Sequence, residues 1–134
     1  MESGIERRHI AYKSRGEKEI EQAMRARLKS GIWVRALIRR CQAAGGAAFV
    51  VRKGDESAGS ILVKVNRLGA GCTVFAPTTG GDGERRWLGG TGAEPVSEQS
   101  ADAYIERQAR YDPDLWVIEI EDRDGRHFLD EPVD

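Results

Sequence analysis

The sequence predicts an α+β domain: an antiparallel sheet of four to five strands with two helices packed on one face, in the order αβββ(β)αβ. Two stretches, near residues 30–44 and 97–111, repeat apolar residues at helical spacing, and short segments between and after them alternate apolar and polar residues as strands do. Such alternation leaves one face of the sheet in water, which is typical of antiparallel pairing. A chain of 134 residues is long enough to bury the core that this arrangement needs.

The first helix is predicted in "RLKSGIWVRALIRRCQAAGG". Trp33, Leu37 and Cys41 recur one turn apart and form its buried face. Ser30 is the expected N-cap, because a serine hydroxyl can accept a hydrogen bond from a backbone N–H of the first turn. The glycine pair at 45–46 ends the helix, since glycine enters the left-handed conformation without a Cβ clash.

The strands follow in "AAFVVR", "ILVKV" and "GCTVFAP", and the third stops at Pro77, which cannot donate to a ladder. The turn-rich segment 53–59 joins the first two strands. A glycine-rich loop at 78–92 contains one further short strand, "ERRWL", and lacks the signature of a phosphate-binding loop. Whether this loop becomes ordered only on binding a partner is left open by the sequence.

The second helix spans 97–111, capped by Ser97, and ends at Asp112 because Pro113 disfavours a helical residue before it. The last strand lies in the acidic stretch "YDPDLWVIEIEDRDG". Its acids have two readings, as a metal or catalytic cluster or as turn residues and the solvated side of a strand. We favour the second reading for all six carboxylates: Asp112, Asp114, Glu119, Glu121, Asp122 and Asp124.

The sequence offers little support for a metal site or for a catalytic nucleophile. A calcium-binding loop aligned on Gly125 would place Ile120, which has no side-chain oxygen, at the first ligand position. His127 is expected at the surface after a turn, and the two cysteines, Cys41 and Cys72, are expected to be free buried thiols. No catalytic residue, metal or cofactor is therefore predicted.

The candidate binding residues are basic. Arg35 and Arg39 lie one turn apart on the outer side of the first helix, and Arg40 and Lys53 could join them in contacting phosphates or an acidic protein surface. Residues 1–67 hold 15 basic and 7 acidic residues, a net charge of +8, whereas residues 68–134 hold 6 and 15, a net charge of −9. The alternative reading is an ordinary solvated helix face and two halves whose charges meet in one fold.

Residues 1–26 are interpreted as a polar N-terminal extension, partly disordered or helical, and residues 27–134 as a single α+β domain. The first residues lack the apolar stretch of a signal peptide, and no apolar run approaches the roughly 20 residues that span a bilayer. We therefore expect a cytoplasmic protein with no membrane contact.

Three segments, "RLKSGIWVRALIRR", "AGSILVKVNRL" and "YDPDLWVIEIEDRDGRHFLD", resemble domain-of-unknown-function family 1491, a family of small uncharacterised bacterial proteins. The resemblance covers about residues 27–130 and implies one domain, with no activity or site residue to carry over. Members of that family usually begin near "RLKSGIWV", so Met24 is a candidate for the natural start.

Two functions follow as hypotheses. The first is a non-catalytic interaction or adaptor domain with an unknown protein partner, because no catalytic constellation is present. The alternative is binding of nucleic acid or another polyanion through the basic helix face. An enzyme is the third choice, since few acid–base groups are available. The sequence leaves the oligomeric state open.

Overall fold

A computed structural model describes residues 16–17, 28–79 and 85–134. Within residues 28–79 and 85–134, two helices and five strands follow one another as predicted, and the α+β class is confirmed. They are α1 (Ser30–Ala43), β1 (Ala47–Arg52), β2 (Ile61–Asn66), β3 (Cys72–Thr79), β4 (Arg85–Gly89), α2 (Glu98–Tyr111) and β5 (Trp116–Glu121). Apart from residues 16–17, the predicted N-terminal extension and the proposed start at Met24 lie outside the described residues.

The sheet is mixed, so the prediction of purely antiparallel pairing was wrong. Its strand order is β1-β5-β2-β3-β4, and the last strand of the chain inserts between the first two. β5 pairs antiparallel with β1 and parallel with β2, while β2-β3 and β3-β4 are antiparallel. Parallel neighbours need a long crossover connection, which α2 supplies by returning the chain to the end of the sheet where β2 also starts.

The two helices pack on opposite faces of the sheet, which corrects the prediction of one shared face. α1 buries Trp33, Leu37 and Cys41 against one side of the central strands. Ala101 of α2 is buried in a second cluster on the other side, where Tyr104 and Ile105 pack against it. The apolar strand residues divide by alternation between these clusters: Ile61, Val63, Val65, Ile118 and Ile120 face α1, and Leu62, Val74 and Val117 face α2.

Burial on both faces also removes the expected solvated side of β5. Val117 is completely buried, and the Glu119 side chain is only 12% exposed. A strand that is covered on both faces reads as a nearly continuous apolar run, as "ILV" and "WVI" do here. Alternation alone therefore underestimated how much of the central sheet is covered.

The two helix starts differ in their capping. Ser97 caps α2 as predicted, because its Oγ accepts from Ser100 N. Ser30, in contrast, is the first helical residue of α1, and its hydroxyl donates to the carbonyl of Gly59 at 2.5 Å. The loop before β2 supplies the cap instead, since Glu56 O accepts from Gly31 N at 2.9 Å.

Candidate interaction site

β1 lies at one edge of the sheet and presents apolar side chains to solvent. Within residues 28–79 and 85–134 it pairs only with β5. Phe49, Val50 and Val51 are 43%, 42% and 55% exposed. An edge strand leaves a row of N–H and C=O groups unpaired, and an apolar edge of this kind is a template for pairing with another strand. We call Ala47–Arg52 with its outward backbone groups the β1 edge.

The opposite edge of the sheet is closed by the C-terminal segment. Trp87 N on β4 donates to Pro132 O at 2.8 Å, and Asp134 N donates to Trp87 O at 2.7 Å. The Asp134 carboxylate also pairs with Arg86 at 2.7 Å. The C-terminal segment therefore covers the middle of the β4 edge, at Trp87, and covering an edge is one way in which proteins protect edge strands.

Both faces of β1 contribute to its exposed surface. Val50 lies across from Ile118 on the face that α1 covers, whereas Phe49 lies across from Glu119 on the opposite face. The register shifts between Val50 and Arg52, so Val51 is the extra residue of a β-bulge and has no partner on β5. The apolar surface of the β1 edge is consequently divided between both sides of the sheet.

The loop after β1 is fixed to the turn before β5. Arg52 Nε donates to Leu115 O at 3.1 Å, and the Trp116 indole N–H donates to Asp55 O at 2.7 Å. Gly54 packs so closely on Asp114 O that an added Cβ would overlap it. These contacts hold the end of β1 in place. Because β1 is already ordered, binding along it would cost less conformational entropy.

Two of the four predicted basic residues have partners within the fold. Arg35 Nη1 pairs with Glu56 Oε1 at 2.6 Å. Arg40 Nε donates to Phe128 O at 3.2 Å. Its Nη2 lies 3.7 Å from the carboxylate of Asp130 and has no hydrogen-bond partner in the described part of the chain. These contacts direct Arg40 to the C-terminal segment.

The other two predicted residues remain exposed. Arg39 lies on the outer side of α1 and Lys53 lies just beyond β1. Neither makes an ion pair or a side-chain hydrogen bond within the ranges that the structure describes.

The structure contains a buried lysine surrounded by three carboxylates, which the sequence analysis did not predict. From the sequence, Lys64 was expected only in an alternating strand. Its side chain is 5% exposed, and Nζ lies 2.8 Å from Glu98, 2.8 Å from Asp102 and 3.1 Å from Glu119. Burial opposes the charged form, but the hydrogen bonds to Asp102, Glu98 and Glu119 outweigh it and raise the pKa of Lys64. Asn66 Nδ2 also donates to Glu98 Oε2 at 3.1 Å.

This cluster attaches the first turns of α2 to the central strands, so its evident role is structural. A signal was available in the sequence. A single lysine stands inside the apolar run of β2, and Glu98 and Asp102 lie one turn apart at the start of α2. Such a lysine needs acidic partners if its strand is covered on both faces.

The acids around β5 have different roles. Asp112 Oδ1 accepts from Asp114 N at 3.0 Å, which confirms the predicted turn role of Asp112. Asp122 Oδ2 accepts from Arg126 N at 2.7 Å, and the guanidinium of Arg126 lowers the pKa of Asp122. Glu119 instead belongs to the Lys64 cluster, and Glu121 lies across from Ala47 beside the β1 edge.

His127 is partly buried and serves a turn. Its Nδ1 accepts from Leu129 N at 2.9 Å, and its ring lies edge-on to Phe75 with centroids 5.2 Å apart. Burial lowers the pKa of His127. Among the described residues, no group of three His, Cys, Asp or Glu side chains is arranged to hold a metal ion.

Cys41 and Cys72 are free and buried, and burial raises the pKa of both thiols. A raised pKa leaves little of the thiolate form at neutral pH, and the thiolate is the reactive form. None of the helices in the described ranges has the length and apolar character required to span a membrane.

Three solved structures are similar to this chain. The crystal structure of a DUF1491 family protein from Caulobacter crescentus CB15 is 54% identical with a TM-score of 0.73, and the match covers 80% of this chain and 99% of that one. An NMR structure of a DUF1491 family protein from the same organism is 53% identical with a TM-score of 0.71, covering 81% and 97%. The solution structure of protein Atu0922 from A. tumefaciens is 35% identical with a TM-score of 0.68, again covering 81% and 97%.

No curated protein matches the chain. Residues 28–130, which contain α1, α2 and β1 to β5, match the family described as "Protein of unknown function (DUF1491)". This match agrees with the resemblance seen in the sequence. The chain therefore belongs to the DUF1491 family.

Proposed function

We propose that this domain is a non-catalytic protein-interaction module that binds an extended segment of a protein partner along the β1 edge. One observation carries the proposal: β1 has no second neighbour among the described residues and exposes three apolar side chains, whereas β4 at the opposite edge is covered by the C-terminal segment. In strand addition, main-chain hydrogen bonds supply affinity and side chains on alternate faces supply specificity.

The surroundings of the reactive side chains support a non-catalytic role. The amine of Lys64 is held in its charged form by three carboxylates, and a charged amine has no lone pair with which to attack a substrate. Both thiols lie in the core, away from any substrate in solvent. We also place the protein in the bacterial cytoplasm, and two free, buried cysteines suit a reducing compartment.

Site-specific photo-crosslinking tests the proposal. A photoreactive amino acid at Phe49 of the full chain should capture a protein in cells, whereas the same group at Leu88, which is 38% exposed on β4, should capture little. Adding Val51→Lys should abolish capture from position 49, because a charge would enter the apolar contact. Capture that is equal at both positions, or indifferent to Val51→Lys, would contradict a binding role for the β1 edge.

Polyanion binding stays as a second, weaker proposal. Arg39 and Lys53 support it because their exposed charges have no acidic partner in the described ranges, while Arg35 and Arg40 are already engaged. Binding to duplex RNA or DNA should weaken steeply between about 50 and 200 mM salt as counterions are released, and Arg39→Glu should weaken it further. Binding that ignores both changes would exclude this function.

A further inference from the structure

We infer that the strand that pairs with the β1 edge is β1 of a second copy of this chain, in antiparallel orientation. This inference rests on the proposed function and names its partner. Three observations support it: the apolar middle of β1, the opposite charges at its two ends, and the presence of one open sheet edge in the described part of each copy.

The ends of β1 carry complementary charges. Glu121 lies on β5 directly across from Ala47, at the start of β1, and Lys53 follows the last residue of the strand. Within the part of the chain that the structure describes, neither side chain has an ion-pair or hydrogen-bond partner. In an antiparallel pair of β1 strands, the Lys53 end of each copy lies against the Glu121 end of the other.

A twofold axis at Val50 gives each side chain a matching neighbour. Val50 then meets its own copy, Phe49 meets Val51 of the second copy, and Ala47 meets Lys53 of the second copy. Glu121 and that lysine are two strand spacings apart, about 10 Å between backbones, and both long side chains can reach across the small Ala47. Apolar contacts thus fill the centre of the pair and two salt bridges flank it.

The closed edge at β4 limits the assembly to two copies. If both edges were open, strand pairing could continue from copy to copy and form a fibre. The C-terminal segment covers β4, so pairing through β1 gives a closed dimer with one continuous ten-stranded sheet. A contact made by one strand from each copy is small, so we expect a weak dimer that depends on protein concentration.

Sedimentation equilibrium of the full chain over a range of concentrations tests the dimer. Wild type should form dimers, Val51→Lys should remain monomeric, and Leu88→Lys, the matched control on β4, should associate like wild type. Lys53→Glu and Glu121→Lys should each raise the dissociation constant at least about threefold, since each weakens two ion pairs. The double variant should return to within about twofold of wild type, because the charges are then exchanged.

Circular dichroism confirms the fold of each variant, and the exposed position of Lys53 makes Lys53→Glu informative even if Glu121→Lys fails to fold. A wild-type chain that stays monomeric up to about 1 mM, or a dimer that survives Val51→Lys, overturns the inference. If the wild type is monomeric but position 49 still crosslinks a different protein, the partner is not a second copy and the proposed function stands. Equal crosslinking from positions 49 and 88 would contradict the proposed function itself.

Discussion

Lys64 shows how a single residue determines the packing of an element. Its ammonium lies in the interior beside Glu119, and Glu98 and Asp102 reach it from α2. Glu98 and Asp102 are half-exposed and can turn into water, whereas Glu119 is nearly buried and cannot. Among the contacts of the cluster, the one between Lys64 and Glu119 should therefore contribute most to the free energy of unfolding.

Replacing Lys64 by Met should destabilise the fold by about 3 kcal/mol, because Glu119 would be left as a buried charge without a cation. Glu98→Gln, at a half-exposed partner, should cost less than about 1 kcal/mol and serves as the control. Urea denaturation monitored by circular dichroism measures both values. Equal losses of unfolding free energy in the two variants would mean that the contact with Glu119 is not the main contribution of the cluster.

His127 should make stability depend on pH. Burial lowers its pKa in the folded state below the ordinary value of 6.5, so the unfolded chain takes up the proton first. The stabilisation from neutral His127 is complete above pH 6.5 and is lost as the pH falls through the lower folded pKa. His127→Phe should flatten the decline of the unfolding free energy between about pH 7 and pH 5. An unchanged slope would assign that decline to other groups.

At the scale of the elements, β1 depends on the loop that follows it. Gly54 lies against Asp114 O and the Trp116 ring, and Arg52 donates to the carbonyl of Leu115. These contacts join the β1–β2 loop to the α2–β5 turn, which are far apart in sequence. The order of the β1 edge thus derives from β5 and the turn before it.

Gly54→Ala should cost about 1–3 kcal/mol, because the new methyl group overlaps Asp114 O and the backbone must shift. Val51→Ala, at a 55% exposed position of the neighbouring strand β1, should change stability by no more than about 0.5 kcal/mol. Chemical denaturation compares the two. If Gly54→Ala were as mild as Val51→Ala, the loop would not be tightly attached to the turn.

For the whole molecule, periodicity was sufficient to predict the class and order of elements but not the arrangement of the sheet. The patterns at α1 and α2 identify helices, yet no local pattern specifies that β5 inserts between β1 and β2. That insertion makes the sheet mixed, places the helices on opposite faces and leaves β1 at the edge. The sequence therefore did not predict a site at the β1 edge, although "AAFVVR" was recognised as a strand.

The uneven charge of the two halves is partly explained by contacts between them. Lys64, from the basic half, meets three carboxylates of the acidic half, and Arg40 approaches Asp130. Arg35, in contrast, pairs with Glu56 of its own half. Spacing rules did not predict the partners of Arg35 and Arg40, because those partners lie on loops whose positions depend on the tertiary fold.

Amide hydrogen exchange on the full chain, below and above the concentration at which it associates, tests the role of the β1 edge most directly. Amides within residues 47–52 whose N–H groups point away from β5 should exchange quickly in dilute solution and become protected on association, while those of β4 stay unchanged. Protection that appears instead on β4 or α2, or none at all in β1, would contradict binding through the β1 edge.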